Sequence, residues 1–196
     1  QLILRHDELP QNLFLVISGR VRFLGVKNND LKTEAITLDL RGSGQLIGWA
    51  SLLRASPCEL VIASEPTTVL AIDSKTFISA IKQCSEFKNS FSELINLQES
   101  YLVANRVINN SLKKEDFDST ELISLVKESR VCSISSGKTF VPPFQNYSWY
   151  VSTENIPNLP VGSKTNDGDI LPAFGKLNLS CRFIGFKNSI LRKSTN

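Results

Sequence analysis

The sequence has no methionine and only one histidine among its 196 residues. A lone His6, beside Asp7 in the turn-like run His6-Asp7-Glu8-Leu9-Pro10, provides no metal-ligating set and no base within reach of a nucleophile, so it reads as a surface-turn residue. Cysteines are few: Cys58, Cys84, Cys132 and Cys181 are scattered without ligand spacing, which predicts free thiols rather than a metal site or a disulfide framework. No apolar run approaches the roughly 18 residues of a membrane span, and no basic-then-apolar leader is present. Charge of one sign is also scarce. A net charge of +3, spread without a Lys/Arg block, gives no electrostatic footprint for nucleic acid. The missing methionine, together with a chain that starts inside a strand-like run, predicts a piece of a longer polypeptide. The glycosylation-type triplets at Asn109, Asn146 and Asn178 read as chance matches.

What remains is ordinary material for a packed core, 41% hydrophobic with 21% charged residues. Up to about residue 73 the chain alternates in the β manner. Residues 13–18 form a buried run, Gly19 supplies a turn, and residues 21–26 set Val21 and Phe23 inward against Arg20 and Arg22. The Asn28-Asn29-Asp30 loop leads to an alternating stretch over 33–40, and two further strands follow at 59–63 and 67–72. Short strands with glycine turns predict a small jelly-roll or β-roll barrel. The period then changes. Asp73 or Ser74 caps a short helix carrying Phe77, Ile78 and Ile81, and an apolar stripe over 87–112 predicts a long helix.

A charged hinge at 113–118 precedes a helix opening at Ser119 or Thr120, and beyond Arg130 the chain is β-like and rich in proline. This part resembles the first weakly: 138–141 parallels 1–4, 148–152 parallels 14–18, and 168–171 parallels 44–47. The expected organisation is α+β, mainly β with helices. Residues 1–115 form the barrel and its helices, and 116–196 form either a second, incomplete barrel-like domain or a mixed tail that packs on the first or extends from it. Gly162-Ser163-Lys164-Thr165 has letters of a phosphate loop without its spacing or helix, and Gly42-Ser43-Gly44 lacks the rest of a dinucleotide fingerprint.

The most informative stretch is 44–59, which runs Gly-Gln-Leu-Ile-Gly-Trp-Ala-Ser-Leu-Leu-Arg-Ala-Ser-Pro-Cys-Glu. It resembles the phosphate cassette of the cyclic nucleotide-binding domain superfamily, in which Gly-x-x-Phe-Gly-Glu opens a short helix and a Pro-Arg pair follows. Gly44, Gly48 and Pro57 keep that pattern. The resemblance implies that the acid holding the ribose is replaced by Trp49, and that the arginine holding the phosphate is replaced by Cys58. Trp49 has only an indole donor, and a thiol cannot supply charge-assisted bonds worth about 1.5–3 kcal/mol each. The candidate pocket is therefore a degenerate one: Gly48, Trp49, Ala50, Ser51, Arg54, Pro57, Cys58 and Glu59. Within it, Arg54 and Glu59 are expected to pair with each other or to take over the lost charges, and Trp49 either plugs the pocket as a core aromatic or lines it.

The string from Gly48 to Glu59 is similar to a variant in the N-terminal barrels of cyanobacterial peptidase-containing ABC exporters. The resemblance implies a non-catalytic regulatory or docking region of a larger multidomain protein. It would carry no cofactor, and its partners would be other domains of the same polypeptide. It would lie in the cytoplasm and be tethered to the inner membrane through the full-length protein. Helices after the barrel carry the response in this family and often dimerise, so a homodimer through 87–112 is a second expectation, using Leu94, Leu97, Tyr101 and Val107. The alternative is a ligand sensor of the catabolite-activator transcription regulator type, binding a cyclic nucleotide or another small molecule. It requires a helix-turn-helix where the proline-rich 138–175 stretch stands. A cupin-type metal enzyme is excluded by the single histidine.

Overall fold

In a computed structural model, the described residues are 1–26, 35–110, 119–154, 156–172 and 180–193. They are mixed β and α, with antiparallel sheets followed by helices. The expected loop at 28–30 and the hinge at 113–118 lie outside the described residues. The chain divides into two compact units, Gln1–Phe91 and Ser92–Asn196. The division expected near residue 115 lies inside the second unit, so the helix over 97–110 goes with the second.

The first unit is built as the alternation predicts. Its strands are β1 (Leu2–Leu4), β2 (Asn12–Ser18), β3 (Val21–Gly25), β4 (Ile36–Arg41), β5 (Leu46–Ile47), β6 (Leu60–Ala63) and β7 (Thr68–Asp73), with the helix α1 (Trp49–Leu53) between β5 and β6. One sheet is ordered β1-β6-β3-β4 and the other β5-β2-β7, all pairs antiparallel. Leu4, Val16, Val21, Phe23, Ile47 and Val61 form one buried cluster of this unit. Gly19, at φ 84°, must be glycine: a Cβ there would lie 2.3 Å from the Pro66 carbonyl oxygen. β7 is an edge of its sheet, and Leu70 on it is 53% exposed.

After β7, the Asp73 side chain accepts from the N–H groups of Lys75 and Thr76 and starts α2 (Ser74–Gln83). The single long helix expected over 87–112 is two helices, α3 (Ser85–Ser92) and α4 (Leu97–Asn110). Asn96 sets the start of the second: its Oδ1 accepts from the N–H groups of Gln98 at 2.9 Å and Glu99 at 3.1 Å, which makes it an N-cap. The proposed dimer face is divided accordingly. Tyr101 is 4% exposed while Leu94 is 44% exposed, so the four residues do not share one open stripe.

The second unit adds α5 (Ser119–Lys127), β8 (Arg130–Ile134), β9 (Tyr147–Val151), β10 (Lys164–Thr165), β11 (Cys181–Lys187) and α6 (Asn188–Lys193), with sheet order β10-β9-β11-β8. Phe140, Trp149, Val151, Ile156, Leu171, Cys181 and Phe183 form its core cluster.

Part of the hydrogen-bonded frame of the first unit recurs in the second. Gly44 N–H donates to Val16 O at 2.8 Å and Val16 N–H to Gln45 O at 2.9 Å; Gly162 N–H donates to Val151 O at 2.8 Å and Val151 N–H to Ser163 O at 2.9 Å. Both glycines take positive φ, 85° and 91°. Phe14 pairs with Ile47 and Ala71, as Trp149 pairs with Thr165 and Gly185. Ser74 N–H reaches Gln11 O and Asn188 N–H reaches Asn146 O, each at 3.0 Å, where a helix follows the last strand. The counterpart of 44–47 is therefore 162–165, not 168–171, and Trp149, not Ser148, stands for Phe14. The apolar pattern alone favours Gly168, since Ile170 and Leu171 match Leu46 and Ile47 in character whereas Lys164 and Thr165 do not.

The four cysteines are free. Burial pushes the Cys132 and Cys181 thiols up to about 12, and Cys58 and Cys181 are buried while Cys84 is exposed. Mass-mapped thiol labelling at pH 8 should therefore modify Cys84 first, with Cys132 and Cys181 reacting only on unfolding, because the neutral thiol is a poor nucleophile. Equal rates at all four would contradict this packing.

Candidate functional site

The site begins where β5 ends. Gly48, at φ 95°, turns the chain out of the strand and caps α1 with a backbone conformation that side chains rarely adopt. α1 buries Trp49, Ala50, Ser51 and Leu53, so the helix presents almost nothing to solvent. The turn after it is tight. Ala55 has φ 56°, its N–H reaches Leu52 O at 3.2 Å, and Ser56 N–H reaches Ser51 O at 3.1 Å. That turn carries the chain back so that Pro57, Cys58 and Glu59 lead into β6.

Glu59 is 1% exposed. Its Oε1 accepts from Gly48 N–H at 3.0 Å, and its Oε2 accepts from Ser51 N–H at 3.1 Å and from the Ser51 hydroxyl at 3.1 Å. Ser51 Oγ in turn accepts from Cys58 N–H at 3.1 Å and lies 3.6 Å from Cys58 Sγ. Charge-assisted bonds of this kind are the stronger class. The chain's own carboxylate thus occupies the backbone donors at Gly48 and Ser51.

Arg54 is fully buried and donates from one guanidinium nitrogen to Ser56 O and Pro57 O, each at 3.0 Å. Glu59 thus goes to the backbone at the start of α1, and Arg54 to the carbonyls of the returning turn. Trp49 is 4% exposed and packs on Phe91 with ring centroids 5.4 Å apart; Phe91 also meets Phe77 at 5.3 Å and Phe87 at 5.1 Å. The indole is a core aromatic joining the cassette to α2 and α3. The structure brings all eight predicted residues into one short segment, with Glu59 as its hub.

A cleft of about 420 Å³ lies elsewhere in this unit, lined by residues of the run 2–14 and by none of the cassette. Glu8 and Arg5 rim it, and Arg5 pairs with Asp7 at 2.8 Å, which holds the Asp7 carboxyl down at about 2. His6, expected on an exposed turn, is 6% exposed. Sequence reading missed this because the charged neighbours Arg5, Asp7 and Glu8 suggested a solvated turn. Among the described residues no group of three or more His, Cys, Asp or Glu could hold a metal ion, and no helix is long and apolar enough to cross a membrane.

Residues 1–84 match the family model of the cyclic nucleotide-binding domain. Among solved structures the chain is similar to the regulatory domain of Toxoplasma gondii PKA with cAMP, at 14% identity and TM-score 0.40, covering 100% of this chain and 78% of that one. It is also similar to the Thermus thermophilus catabolite activator protein, at 22% identity and TM-score 0.39, covering 65% and 68%. A third is the regulatory subunit of a cAMP-independent protein kinase A from Trypanosoma cruzi bound to guanosine, at 10% identity and TM-score 0.36, covering 100% and 70%. No curated protein matches.

Proposed function

We propose, taking the match of residues 1–84 to the cyclic nucleotide-binding domain family as premise, that the first unit is a non-catalytic regulatory or docking domain that works without a bound nucleotide. One observation carries the reading. The backbone donors at Gly48 and Ser51 are held by Glu59, inside a segment where Trp49, Arg54 and Cys58 are all buried. A cyclic phosphate would have to displace a hydrogen-bonded carboxylate and would meet a thiol in place of a guanidinium. Each lost charge-assisted contact weakens binding by about one to two decades.

The setting we infer is a larger multidomain protein of the ABC exporter type, with this domain on the cytoplasmic side and other domains of the same polypeptide as its partners. Support for that setting is the run from Gly48 to Glu59 alone.

The test is calorimetry and thermal shift with cAMP, cGMP and cyclic dinucleotides. Specific binding at a hundredfold excess over Kd would stabilise by about 2.7 kcal/mol. We expect no shift with any of them. A saturable shift with cAMP, lost in Arg54→Ala, would overturn the proposal and restore the sensor reading.

A further inference from the structure

We propose that Glu59 is an intramolecular clamp that stands in for a ligand and keeps Trp49 permanently packed on the aromatic cluster of α2 and α3. This rests on the ligand-free reading above and names how the cassette is regulated: from within.

The clamp closes a ring. Glu59 lies at the entry to β6, and its two oxygens take the N–H groups on either side of Trp49 and Ala50, at Gly48 and Ser51. Ser51 passes the connection back through its hydroxyl, which donates to Glu59 and accepts from Cys58 N–H. The ring therefore fixes both ends of the segment that carries the indole. Arg54, fully buried, fixes the carbonyls of Ser56 and Pro57, which sets the path that returns Glu59 to the helix. With the ring shut, Trp49 has one place to lie, against Phe91.

The second unit provides an independent comparison within the same chain. In the repeated frame Ile47 corresponds to Thr165, so the residue after it, Gly48, corresponds to Asn166. Asn166 N–H is also taken by a carboxylate of the chain, Asp169 Oδ2 at 2.7 Å. The helix has been reduced to a turn, but the donor at that position is again satisfied from inside. Gly48 is buried, so leaving its N–H unmet would be costly, whereas Asn166 is exposed and makes its bond at the surface; in both units the acceptor is an acid of the chain.

The consequence differs from that of a sensor. In a ligand-gated cassette, emptying the site frees the segment to move; here nothing leaves the site, so α3 receives one fixed signal. Only a change to Glu59, or to the residues that hold it, releases the segment.

The test uses the full chain and nuclear magnetic resonance. Exchange is followed at the Gly48 and Ser51 amides, along with the indole N–H signals of Trp49 and of Trp149, which lies in the other unit and serves as internal control. Glu59→Ala should raise exchange at Gly48 and Ser51 by about tenfold or more and shift the Trp49 signal while Trp149 stays in place. Glu59→Gln, which keeps an acceptor oxygen for one N–H, should fall between. If Glu59→Ala does not fold, Ser51→Ala, which removes the hydroxyl and leaves the carboxylate, should move the same signals in the same direction by less. A folded Glu59→Ala protein with native exchange and a native Trp49 signal overturns the clamp, as does a Ser51→Ala protein that leaves every signal unmoved. Failure of the ligand-free reading looks different: the unaltered protein would bind cAMP, whatever the exchange at Gly48.

Discussion

Removing either partner of the Glu99–Arg182 pair should destabilise the second unit by about 3–5 kcal/mol. The two side chains are 0% and 1% exposed, with Arg182 Nε donating to Glu99 Oε1 at 3.0 Å and an Arg182 terminal nitrogen to Oε2 at 2.9 Å. Ser152 Oγ adds a bond to Glu99 Oε1 at 2.8 Å, and Arg182 reaches Leu94 O at 3.1 Å. Such a pair contributes little net stability when compared with apolar packing, because both charges are withdrawn from water. Breaking it is another matter, since one charge is left behind with its partner gone. The pair joins α4 to β11, so its loss should detach the helix from the sheet. Urea unfolding of Glu99→Ala and Arg182→Ala measures the effect. The double change Glu99→Leu with Arg182→Met should recover much of the loss. A single variant that costs under about 1 kcal/mol would show that α4 is held by its apolar face alone.

The second large effect is at Trp49. Trp49→Ala should cost about 3–5 kcal/mol, the range for emptying an aromatic site in a packed core. The indole is 4% exposed and touches Phe91, which in turn packs on Phe77 and Phe87. The hole therefore opens beside Phe91, the ring that ties the cassette to Phe77 on α2 and Phe87 on α3. Trp49→Phe should cost less, because a smaller ring still meets Phe91 edge-on. A pocket-lining tryptophan would behave otherwise: truncation would alter ligand response and leave stability near native. Urea unfolding by far-ultraviolet circular dichroism separates these results, and a Trp49→Ala protein as stable as the original would refute the packing described here.

Much of the first unit was legible because its signals are local. Alternation placed β2, β3, β6 and β7 to within a residue or two, and Asp73 announced α2. The turn into the short helix α1 was legible from Gly44 and Gly48, which both take positive φ. The apolar stripe over 87–112 misled, because periodicity is indifferent to one capping residue. Asn96 starts a new helix within an unbroken apolar pattern, after the previous one has stopped at Ser92. Glu59 was named as a candidate, yet no spacing rule says that a carboxylate 11 positions after Gly48 will fold back onto its N–H. The register of the second unit was missed for a similar reason. Its β10 carries Lys164 and Thr165 where β5 carries Leu46 and Ile47, and only the hydrogen bonds of Val151 reveal the equivalence.

The two sheets also end differently. β11 is flanked by β8, and Ile184 on it is fully buried; β7, its counterpart, has no strand beyond it among the described residues, and Leu70, which corresponds to Ile184, stands 53% open. Open rims of this kind template the addition of further chains. Handled at high concentration, the protein should grow turbid by rim-to-rim stacking, and a lysine at position 70 would act as a gatekeeper against it.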